Sequence, residues 1–577
     1  MYNRRFMCMA FRLTKVVITL LLLFTLSCKT HHRAVQTRLE PLKTPIVKSK
    51  ANRKAMSIIS VNNHFNEFAF TANELNLLDE FYKINDNRPM WLDDNKLNRN
   101  VQDLFKNIHN ARTEGLNPES YGADEIEKQV NQITLLADDD PTLPDLYARL
   151  DLVLSRAWFA YAEDLQNGVV DPAKFSPGWK NIKEPINLPE LLTGALKKHQ
   201  IPESFDALRP QDVQYNQLRD KLAQLIEVQK NGGWLMPGFF KTLEAGDSST
   251  HIIAIRQLLQ ATGDLQPKDA DSISPLFDEK LKNAVIAFQK RHGLKPDGII
   301  GKRTQEEMNR NVDYRIGQIV VNLERMRWLP NLQNEEYIVV NIPEFVLRSY
   351  KNNKPQDQMN VVVGNVKNHT PILLNTIKYI VFNPTWNVPP SIVRKEMVAK
   401  MKSDSGYLAK NQYVLLKGSY LSHDTANPAD IDWTEITAAN FPYHVVQKPG
   451  KINALGKIKF LFPNDQNIYL HDTPSQSHFR QYDRDYSHGC VRLQDPERLA
   501  VRLLEKQMSE EEIRNIIAGG KTTSMTLLQK PIIYFTYQTT WVDDDKQINF
   551  RKDIYSFDEK MVEVLGVKPE LQSNNQR

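Results

Sequence analysis

The residues best suited to chemistry lie in one short stretch, 468–493, which reads I-Y-L-H-D-T-P and then, after a polar connection, Y-S-H-G-C-V-R-L. It holds Cys490, two histidines (His471 and His488) and Arg492. The chain has three cysteines, and the other two lie in or before an N-terminal hydrophobic segment. Cys490 therefore has no evident disulfide partner in the folded body, and a set of metal ligands is not visible around it.

The pattern around Cys490 suits nucleophilic catalysis. The thiolate is the reactive form, and it needs a base or a positive environment, which His471 and Arg492 can supply. I-Y-L predicts a strand with His471 at its end, and C-V-R-L predicts a second strand or a strand-like exit from a turn. Such neighbouring elements can bring His471 to Cys490. Gly489 allows an unusual backbone conformation that can aim N–H groups at a developing oxyanion.

Each of these residues also has a structural interpretation. A lone cysteine is commonly an inert, buried side chain. His488 lies two residues from Cys490 and shares its face on an extended strand, so it either acts as a base or only orients the site. Arg492 either forms an ion pair on the surface or binds a substrate carboxylate through two parallel hydrogen bonds. Tyr469 shares the face of His471, where its hydroxyl contacts the substrate or its ring packs.

H-D-T-P followed by S-H-G-C-V-R-L resembles the active-site signature of the L,D-transpeptidases, which are peptidoglycan cross-linking enzymes with a cysteine nucleophile. The resemblance implies that Cys490 is the nucleophile and that His471 is the proton donor and acceptor. It also implies that the backbone carbonyl of Asp472 orients the ring of His471. The remaining motif positions are Ser487, His488, Gly489 in the oxyanion region, and Arg492.

The resemblance implies an acyl transfer through a thioester, from a tetrapeptide stem of peptidoglycan to an amine on a second stem. No cofactor and no metal are expected. Two other functions stay open. An L,D-carboxypeptidase or endopeptidase would pass the same thioester to water. A non-catalytic cell-wall-binding scaffold would carry a degenerate catalytic domain, although the intact cysteine and histidine argue against it.

Composition indicates a globular protein of several domains. The chain has 577 residues, of which 41% are hydrophobic and 25% are charged. Its formal net charge is +5, and its sequence pI is about 8.7. A charge this small over this length does not indicate nucleic-acid binding.

Residues 1–28 are predicted to form an export signal. Positive residues precede an apolar core at 16–26, which is too short to span a bilayer comfortably. The segment ends in L-S-C and resembles a bacterial lipoprotein signal, in which Cys28 is lipidated. Thr25 stands where that pattern usually has a larger aliphatic residue, so simple cleavage or anchoring stays open. Both alternatives predict that the folded part of the protein lies in the periplasm, where the lipid or the signal segment holds it at the membrane. Residues 29–62 are basic and polar and predict a flexible linker.

Helical periodicity, interrupted by Asn-Pro, Asp-Pro and Gly-Gly, predicts a scaffold domain over 63–246. Two segments, R-P-M-W at 88–91 and G-L-N-P at 115–118, resemble the non-catalytic scaffold of larger L,D-transpeptidases. Residues 247–310 carry F-Q-x-x-x-G-L-x-x-D-G-x-x-G-x-x-T. This run resembles the three-helix peptidoglycan-binding domain of many cell-wall hydrolases. The alternative is a plain helical spacer.

Short β-branched runs between turn residues predict a β-sandwich-like catalytic domain over 314–535. One run, 337–347, is predicted as a single strand. N-P-x-W-x-V-P-P then opens an insertion at about 390–445, which resembles the capping subdomain of larger family members and is expected to act as a lid. Trp386 either contacts substrate from this lid or packs within it.

Residues 536–577 are predicted as a C-terminal extension. The expected fold class is therefore multidomain α+β: a mostly helical scaffold, a small three-helix domain and a β-sandwich-like catalytic domain with a lid.

Overall fold

A computed structural model describes residues 70–566 except 94–95, 138, 176–182, 267–272, 331 and 333–334. The predicted signal segment with Cys28, the predicted linker 29–62 and the tail from 567 lie outside the described residues. In the part of the chain that is described, no helix has both the length and the apolar character needed to cross a membrane. The elements form the multidomain α+β arrangement that the sequence predicts.

The N-terminal region is a helical bundle around one long helix, Leu143–Asn167. This helix is apolar around most of its circumference, so other helices cover it on several sides. Its aromatic residues Trp158, Phe159 and Tyr161 are at most 1% exposed, so they belong to the core. The elements of the bundle are α1 (Ala72–Ile84), β1 (Leu92–Asp93), β2 (Lys96–Leu97), α2 (Arg99–His109), α3 (Ala123–Thr134), α4 (Leu143–Asn167), α5 (Leu188–Lys198), α6 (Ile201–Leu208) and α7 (Val213–Lys230).

The R-P-M-W segment is held by a buried carboxylate of α4. Asp151 accepts hydrogen bonds from the backbone N–H groups of Met90 (2.7 Å) and Trp91 (2.8 Å) and from the hydroxyl of Tyr82 (2.8 Å). The Trp91 indole N–H donates to Ser155 Oγ over 3.0 Å. Burial raises the pKa of Asp151 to about 7. These contacts give the segment a packing role.

Three helices form the next region, as the sequence predicts, and they are α8 (His251–Ala261), α9 (Glu279–Arg291) and α10 (Lys302–Met308). The side chain of Gln289 on α9 fixes the Asp-Gly turn that follows. Its Nε2 donates to Asp297 Oδ1 over 3.1 Å, and its Oε1 accepts from the Gly298 N–H over 2.8 Å. The F-Q and D-G parts of the motif are therefore partners in one turn.

The region predicted as the catalytic domain is organised by one long strand, Lys354–Gly364, which joins the two halves of an 11-stranded sheet. Apolar residues of both halves share one buried core, so the sheet folds over itself as a sandwich does. The strands are β3 (Glu336–Asn341), β4 (Val346–Lys351), β5 (Lys354–Gly364), β6 (Leu373–Thr376), β7 (Tyr379–Phe382), β12 (Ile458–Leu461), β13 (Leu470–His471), β14 (Asp485–Ser487), β15 (Val491–Leu493), β16 (Thr523–Thr526) and β17 (Ile532–Thr536). Their order is β16-β7-β12-β13-β15-β5-β4-β3-β17-β6, and β14 lies beside β5.

The prediction of one strand over 337–347 is wrong. The segment is a hairpin in which β3 ends at Asn341 and β4 begins at Val346. Pro343 has no N–H to donate to the sheet, and Phe345 has a positive φ of 60°. These two residues turn the chain where apolar periodicity alone predicts that it continues.

The insertion is a small folded unit rather than an extended polar loop. Its four strands form a sheet in the order β10-β9-β11-β8, with a separate apolar core beneath. Helical turns and a short helix open the unit, and its sheet was not predicted because the strands are only two to four residues long. The elements are β8 (Trp386–Asn387), the helical turns Pro390–Ile392 and Val393–Met397, α12 (Val398–Ser403), α13 (Tyr407–Lys410), β9 (Tyr413–Leu416), β10 (Thr425–Ala426) and β11 (His444–Gln447).

A buried helix, α11 (Val312–Arg327), ties the domains to the C-terminal segment. Arg325 Nη1 lies 2.6 Å from Asp558 Oδ1, and it donates to the Tyr537 carbonyl over 2.9 Å. Tyr537 and Tyr555 belong to the same core as the main sheet, so the segment after 535 is an integral part of the catalytic region. The remaining elements are α14 (Pro496–Leu504), α15 (Glu510–Ala518), β18 (Thr540–Val542), β19 (Ile548–Phe550) and α16 (Phe557–Val564).

The Asp558→Leu variant is expected to lower the melting temperature of the whole chain. It leaves the Arg325 guanidinium buried without its carboxylate, which costs about 3–5 kcal/mol. Differential scanning calorimetry measures the change. The double variant Arg325→Met/Asp558→Leu removes both charges, and we expect it to regain most of the lost stability. An unchanged melting temperature for Asp558→Leu would contradict this account of the pair.

Candidate active site

Three adjacent strands of the main sheet present the polar residues on one face. The register places Lys459 of β12 opposite His471 of β13, and His471 opposite Arg492 of β15. The N–H of Val491 donates to the Tyr469 carbonyl over 3.1 Å, so the pairing extends to the residues just before β13 and β15.

Residues two apart on a strand share a face, so Tyr469 and Cys490 lie on the same side as His471. The alternate positions Leu470 and Val491 are 0% exposed and belong to the core on the other side. The alternation of the strands thus separates the candidate chemistry from the hydrophobic core.

His471 is a buried and oriented imidazole. Its Nδ1 lies 2.5 Å from the carbonyl oxygen of Asp472. A carbonyl can only accept, so Nδ1 carries the proton and Nε2 is left as an acceptor. Burial, together with the positive charges of Arg492 and Lys459, lowers the pKa of His471 to about 3. The ring is therefore neutral at pH 7 and able to receive a proton.

Cys490 is a free and partly exposed cysteine. Its Sγ lies 3.7 Å from the carbonyl oxygen of Asn467. Burial raises the pKa of the Cys490 thiol, and hydrogen bonds from Tyr469 and the charges of Lys459 and Arg492 only partly offset that effect. The resting site therefore holds a neutral thiol beside a neutral imidazole.

The turn before Cys490 is closed by hydrogen bonds. Ser487 Oγ accepts from the Gly489 N–H over 3.0 Å and donates to the Cys490 carbonyl over 2.6 Å. Thr370 Oγ1 donates to the Gly489 carbonyl over 2.7 Å. Gly489 has φ +110°, and a Cβ there would lie 3.2 Å from the His369 carbonyl oxygen. The Gly489 N–H is engaged inside the turn, so the glycine shapes the backbone and its own N–H does not face outward.

Tyr555 supports this turn from the C-terminal segment. Its hydroxyl donates to the Gly364 carbonyl over 2.5 Å and accepts from the Thr370 N–H over 3.2 Å. The His369 ring stacks on the Tyr555 ring with centroids 4.1 Å apart. Sequence reasoning missed Tyr555 and Thr370, because nothing local marks residues that meet the site only through the fold.

The insertion reaches the site through two contacts. His488 Nε2 lies 2.7 Å from Glu396 Oε1, and Glu396 belongs to the helical turn Val393–Met397. Trp386 and Cys490 both lie near the Tyr469 hydroxyl, where Cys490 raises the pKa of Tyr469 and Trp386 lowers it. Trp386 also packs against the core of the insertion. Of the two histidines, His471 shares the face of Cys490, whereas His488 is joined to the insertion.

Two cations near Cys490 have no acidic partner. Within the described residues, no carboxylate lies within 4.0 Å of Arg492 or Lys459. Arg492 Nη1 lies 3.5 Å from His478 Nδ1, and Lys459 Nζ lies 3.8 Å above the ring of Tyr469. Unpaired cations on the rim of a site favour a ligand that carries a carboxylate. Sequence reasoning did not select Lys459, although strand alternation in K-I-K-F-L places it opposite the core-facing positions.

The Lys459→Met variant is expected to slow alkylation of Cys490 by iodoacetamide at pH 8. The thiol pKa already lies above its ordinary value, so the thiolate forms only as the pH rises, and the loss of a nearby cation moves that rise to higher pH. Mass spectrometry of the peptide that contains Cys490 measures the rate against pH. Lys530→Met, at an exposed lysine in the loop before β17, is the matched control. Equal pH profiles for the two variants would exclude the proposed effect of Lys459.

Three family models match the chain. Residues 335–510 match the L,D-transpeptidase catalytic domain, 248–308 match a "Putative peptidoglycan binding domain", and 76–222 match a "Scaffold domain". Each match lies inside the corresponding predicted region, 314–535, 247–310 or 63–246.

Two curated relatives match parts of the chain. A "Putative L,D-transpeptidase" of Haemophilus influenzae is 33% identical over 245 residues, which cover 42% of this chain and 48% of the relative. The N-acetylmuramoyl-L-alanine amidase CwlM of Mycobacterium tuberculosis is 37% identical over 81 residues, which cover 13% of this chain and 20% of that protein. The chain thus spans about half the length of the first relative and a fifth of the second.

Among solved structures, the L,D-transpeptidase (residues 123–326) from Xylanimonas cellulosilytica matches with 12% identity, covering 52% of this chain and 100% of that chain at a TM-score of 0.15. A score this low does not establish a shared fold. The family models and the first curated relative agree with the motif around Cys490. The chain therefore carries an L,D-transpeptidase catalytic domain together with a peptidoglycan-binding domain.

Proposed function

We propose that this protein is an L,D-transpeptidase that cross-links peptidoglycan stems, with Cys490 as the nucleophile and His471 as the base. The observation that carries the proposal is that Cys490 and an oriented, uncharged His471 lie on the same face of the paired strands β13 and β15. The match of 335–510 to the catalytic-domain model supports the same reaction class. Peptidoglycan is the proposed partner, supported by the two matched domains.

The first half of the reaction forms a thioester. As Cys490 Sγ attacks the carbonyl before the terminal D-amino acid of a tetrapeptide stem, His471 Nε2 takes the thiol proton. The bond from that carbonyl to the leaving nitrogen breaks. The departing amine then takes the proton back from His471.

The second half regenerates the enzyme. The amine of a second stem attacks the thioester, and His471 Nε2 removes a proton from it. The new amide bond forms as the carbon–sulfur bond breaks, and the sulfur regains the proton. If water takes the place of the amine, the same steps give a carboxypeptidase or endopeptidase.

Tyr469 and the two cations have proposed supporting roles. Burial and the neighbouring Cys490 raise the pKa of Tyr469, so its hydroxyl stays protonated and able to donate to the sulfur or to an oxyanion. Arg492 is a candidate to bind a carboxylate of the stem, because in the described residues it has no acidic partner. Trp386, whose indole lies near the Tyr469 hydroxyl, would couple the insertion to the acyl donor.

The proposed location and membrane anchoring of the protein are inferred from its N-terminal segment and its proposed substrate. Peptidoglycan lies outside the cytoplasm, and the matched domains are consistent with work there. We propose a periplasmic enzyme, with lipid attached at Cys28 of the predicted signal segment or with that segment as its anchor.

The Cys490→Ser variant is expected to abolish cross-linking and the stable adduct that carbapenems form with cysteine enzymes of this family. Serine retains the shape of the residue but lacks the acidity and nucleophilicity of a thiol. Muropeptide analysis of cell wall incubated with the protein measures cross-links, and intact mass measures the adduct. An adduct that persists in Cys490→Ser would remove Cys490 from the role. Products made with and without an amine acceptor separate transfer from hydrolysis.

His471→Gln is expected to slow formation of the carbapenem adduct by about 10²–10⁴-fold, the usual contribution of a general base. His488→Gln is expected to cost less than about tenfold, because its ring is joined to Glu396 on the insertion. Time-resolved intact mass on both variants gives the rates. A larger loss for His488→Gln than for His471→Gln would reverse the assignment of the base.

A further inference from the structure

A second cleft, with a volume of about 380 Å³, opens between the peptidoglycan-binding domain and the catalytic domain. Lys290, Arg303 and Arg310 line it from the first domain, and Tyr482 and Lys552 line it from the second. It is distinct from the face that carries Cys490, because none of the residues of that face lines it.

The walls of the cleft are fixed by close docking of the two domains. His292 stacks between Phe288, at 3.8 Å, and Phe550, at 5.4 Å. Arg551 Nη1 donates to the Arg291 carbonyl over 3.1 Å. A Cβ on Gly293 would lie 2.5 Å from Arg551 Cδ, so only glycine permits this approach. A cleft with walls held in this way is formed before any ligand arrives.

The acidic residues of the cleft are largely paired. Glu307 lies 2.7 Å from Arg315, Glu344 lies 2.6 Å from Arg348, and Asp483 lies 2.7 Å from Arg303 across the mouth. Glu306 is the one lining carboxylate without an ion pair in the described residues.

The cleft has more exposed cations than unpaired carboxylates. Lys290, Arg310 and Lys552 are exposed, and no carboxylate of the described residues lies within 4.0 Å of them. Among the described lining residues, these three exposed cations outnumber the one unpaired carboxylate, so the cleft is positive. A positive and exposed cleft favours an anionic ligand.

Exposed aromatic residues lead from the cleft toward Cys490. Tyr482 is 47% exposed on the cleft, and Tyr486 is 44% exposed on β14, just before the turn that carries the nucleophile. Tyrosine rings with exposed faces are suited to contact with partly apolar, partly polar ligands such as sugars. The residues from Tyr482 to Cys490 span at most roughly 30 Å, so the cleft lies within about that distance of Cys490. A polymer that carries several stems can reach both places.

From this geometry we propose that the cleft binds a carboxylate-bearing segment of the peptidoglycan strand whose stem is presented to Cys490. The inference rests on the proposed function, because it takes peptidoglycan as the substrate. Lys290, Arg310 and Lys552 pair with stem carboxylates, and Tyr482 contacts the sugar backbone. Two weak contacts on one polymer raise the effective concentration of the stem at the nucleophile.

The triple variant Lys290→Glu/Arg310→Glu/Lys552→Glu of the full-length chain tests the proposal. Its matched control, Lys128→Glu/Lys197→Glu/Lys198→Glu, makes the same charge change at exposed lysines of the scaffold. Sedimentation with purified sacculi at several salt concentrations measures binding, and calorimetry checks that both variants fold. We expect the concentration for half-saturation to rise about tenfold for the cleft variant and less than about twofold for the control.

Equal sacculus binding by the cleft variant and the control would overturn the proposal. A tenfold loss confined to the cleft variant would support it. Carbapenem adduct formation by the wild-type chain, measured by intact mass, reports separately on the reaction. If the wild type forms neither adduct nor cross-links, the proposed function fails whatever the sacculi show. If it forms both while the two variants bind alike, only the cleft proposal fails.

Discussion

The candidate site depends on the pairing of β12, β13 and β15. This pairing places Lys459, His471 and Arg492 side by side, and Cys490 is the residue just before the first residue of β15. Because side chains alternate across a strand, a slip of one residue would turn the polar set into the core and expose the apolar set. The buried positions Leu470 and Val491 hold the register against such a slip. The hydrophobic core thus fixes the geometry of the chemistry on its other side.

Parts of the chain that are remote in sequence support this short stretch. Tyr555, from the C-terminal segment, holds Gly364 and Thr370, and Thr370 holds the Gly489 carbonyl. The insertion contributes Trp386 and Glu396, which contact Tyr469 and His488. The turn before Cys490 and the residues around it are therefore held from two sides, so a substitution in either segment can alter the candidate site without contacting the sulfur.

Much of the site was accessible from the sequence because its chemistry is concentrated in one motif. The apolar runs I-Y-L and C-V-R-L predicted the strands that flank His471 and Cys490. The three helices of 247–310 were predicted from the resemblance of that segment to a three-helix domain. Other features depend on long-range pairing. The β3–β4 hairpin was missed because apolar periodicity continues through Pro343, and the sheet of the insertion was missed because its strands are too short to show alternation. Lys459 and Tyr555 gain their importance only from neighbours that the fold brings to them.

The uncharged state of the Cys490 sulfur makes it less reactive toward oxidants. Peroxides and disulfides react with thiolates, so an ionised sulfur in an oxidising compartment would be lost to sulfenic acid or to mixed disulfides. Burial keeps the Cys490 sulfur protonated, and the chain offers it no second thiol among the described residues. The Cys490 sulfur therefore reacts slowly with such oxidants until a base removes its proton.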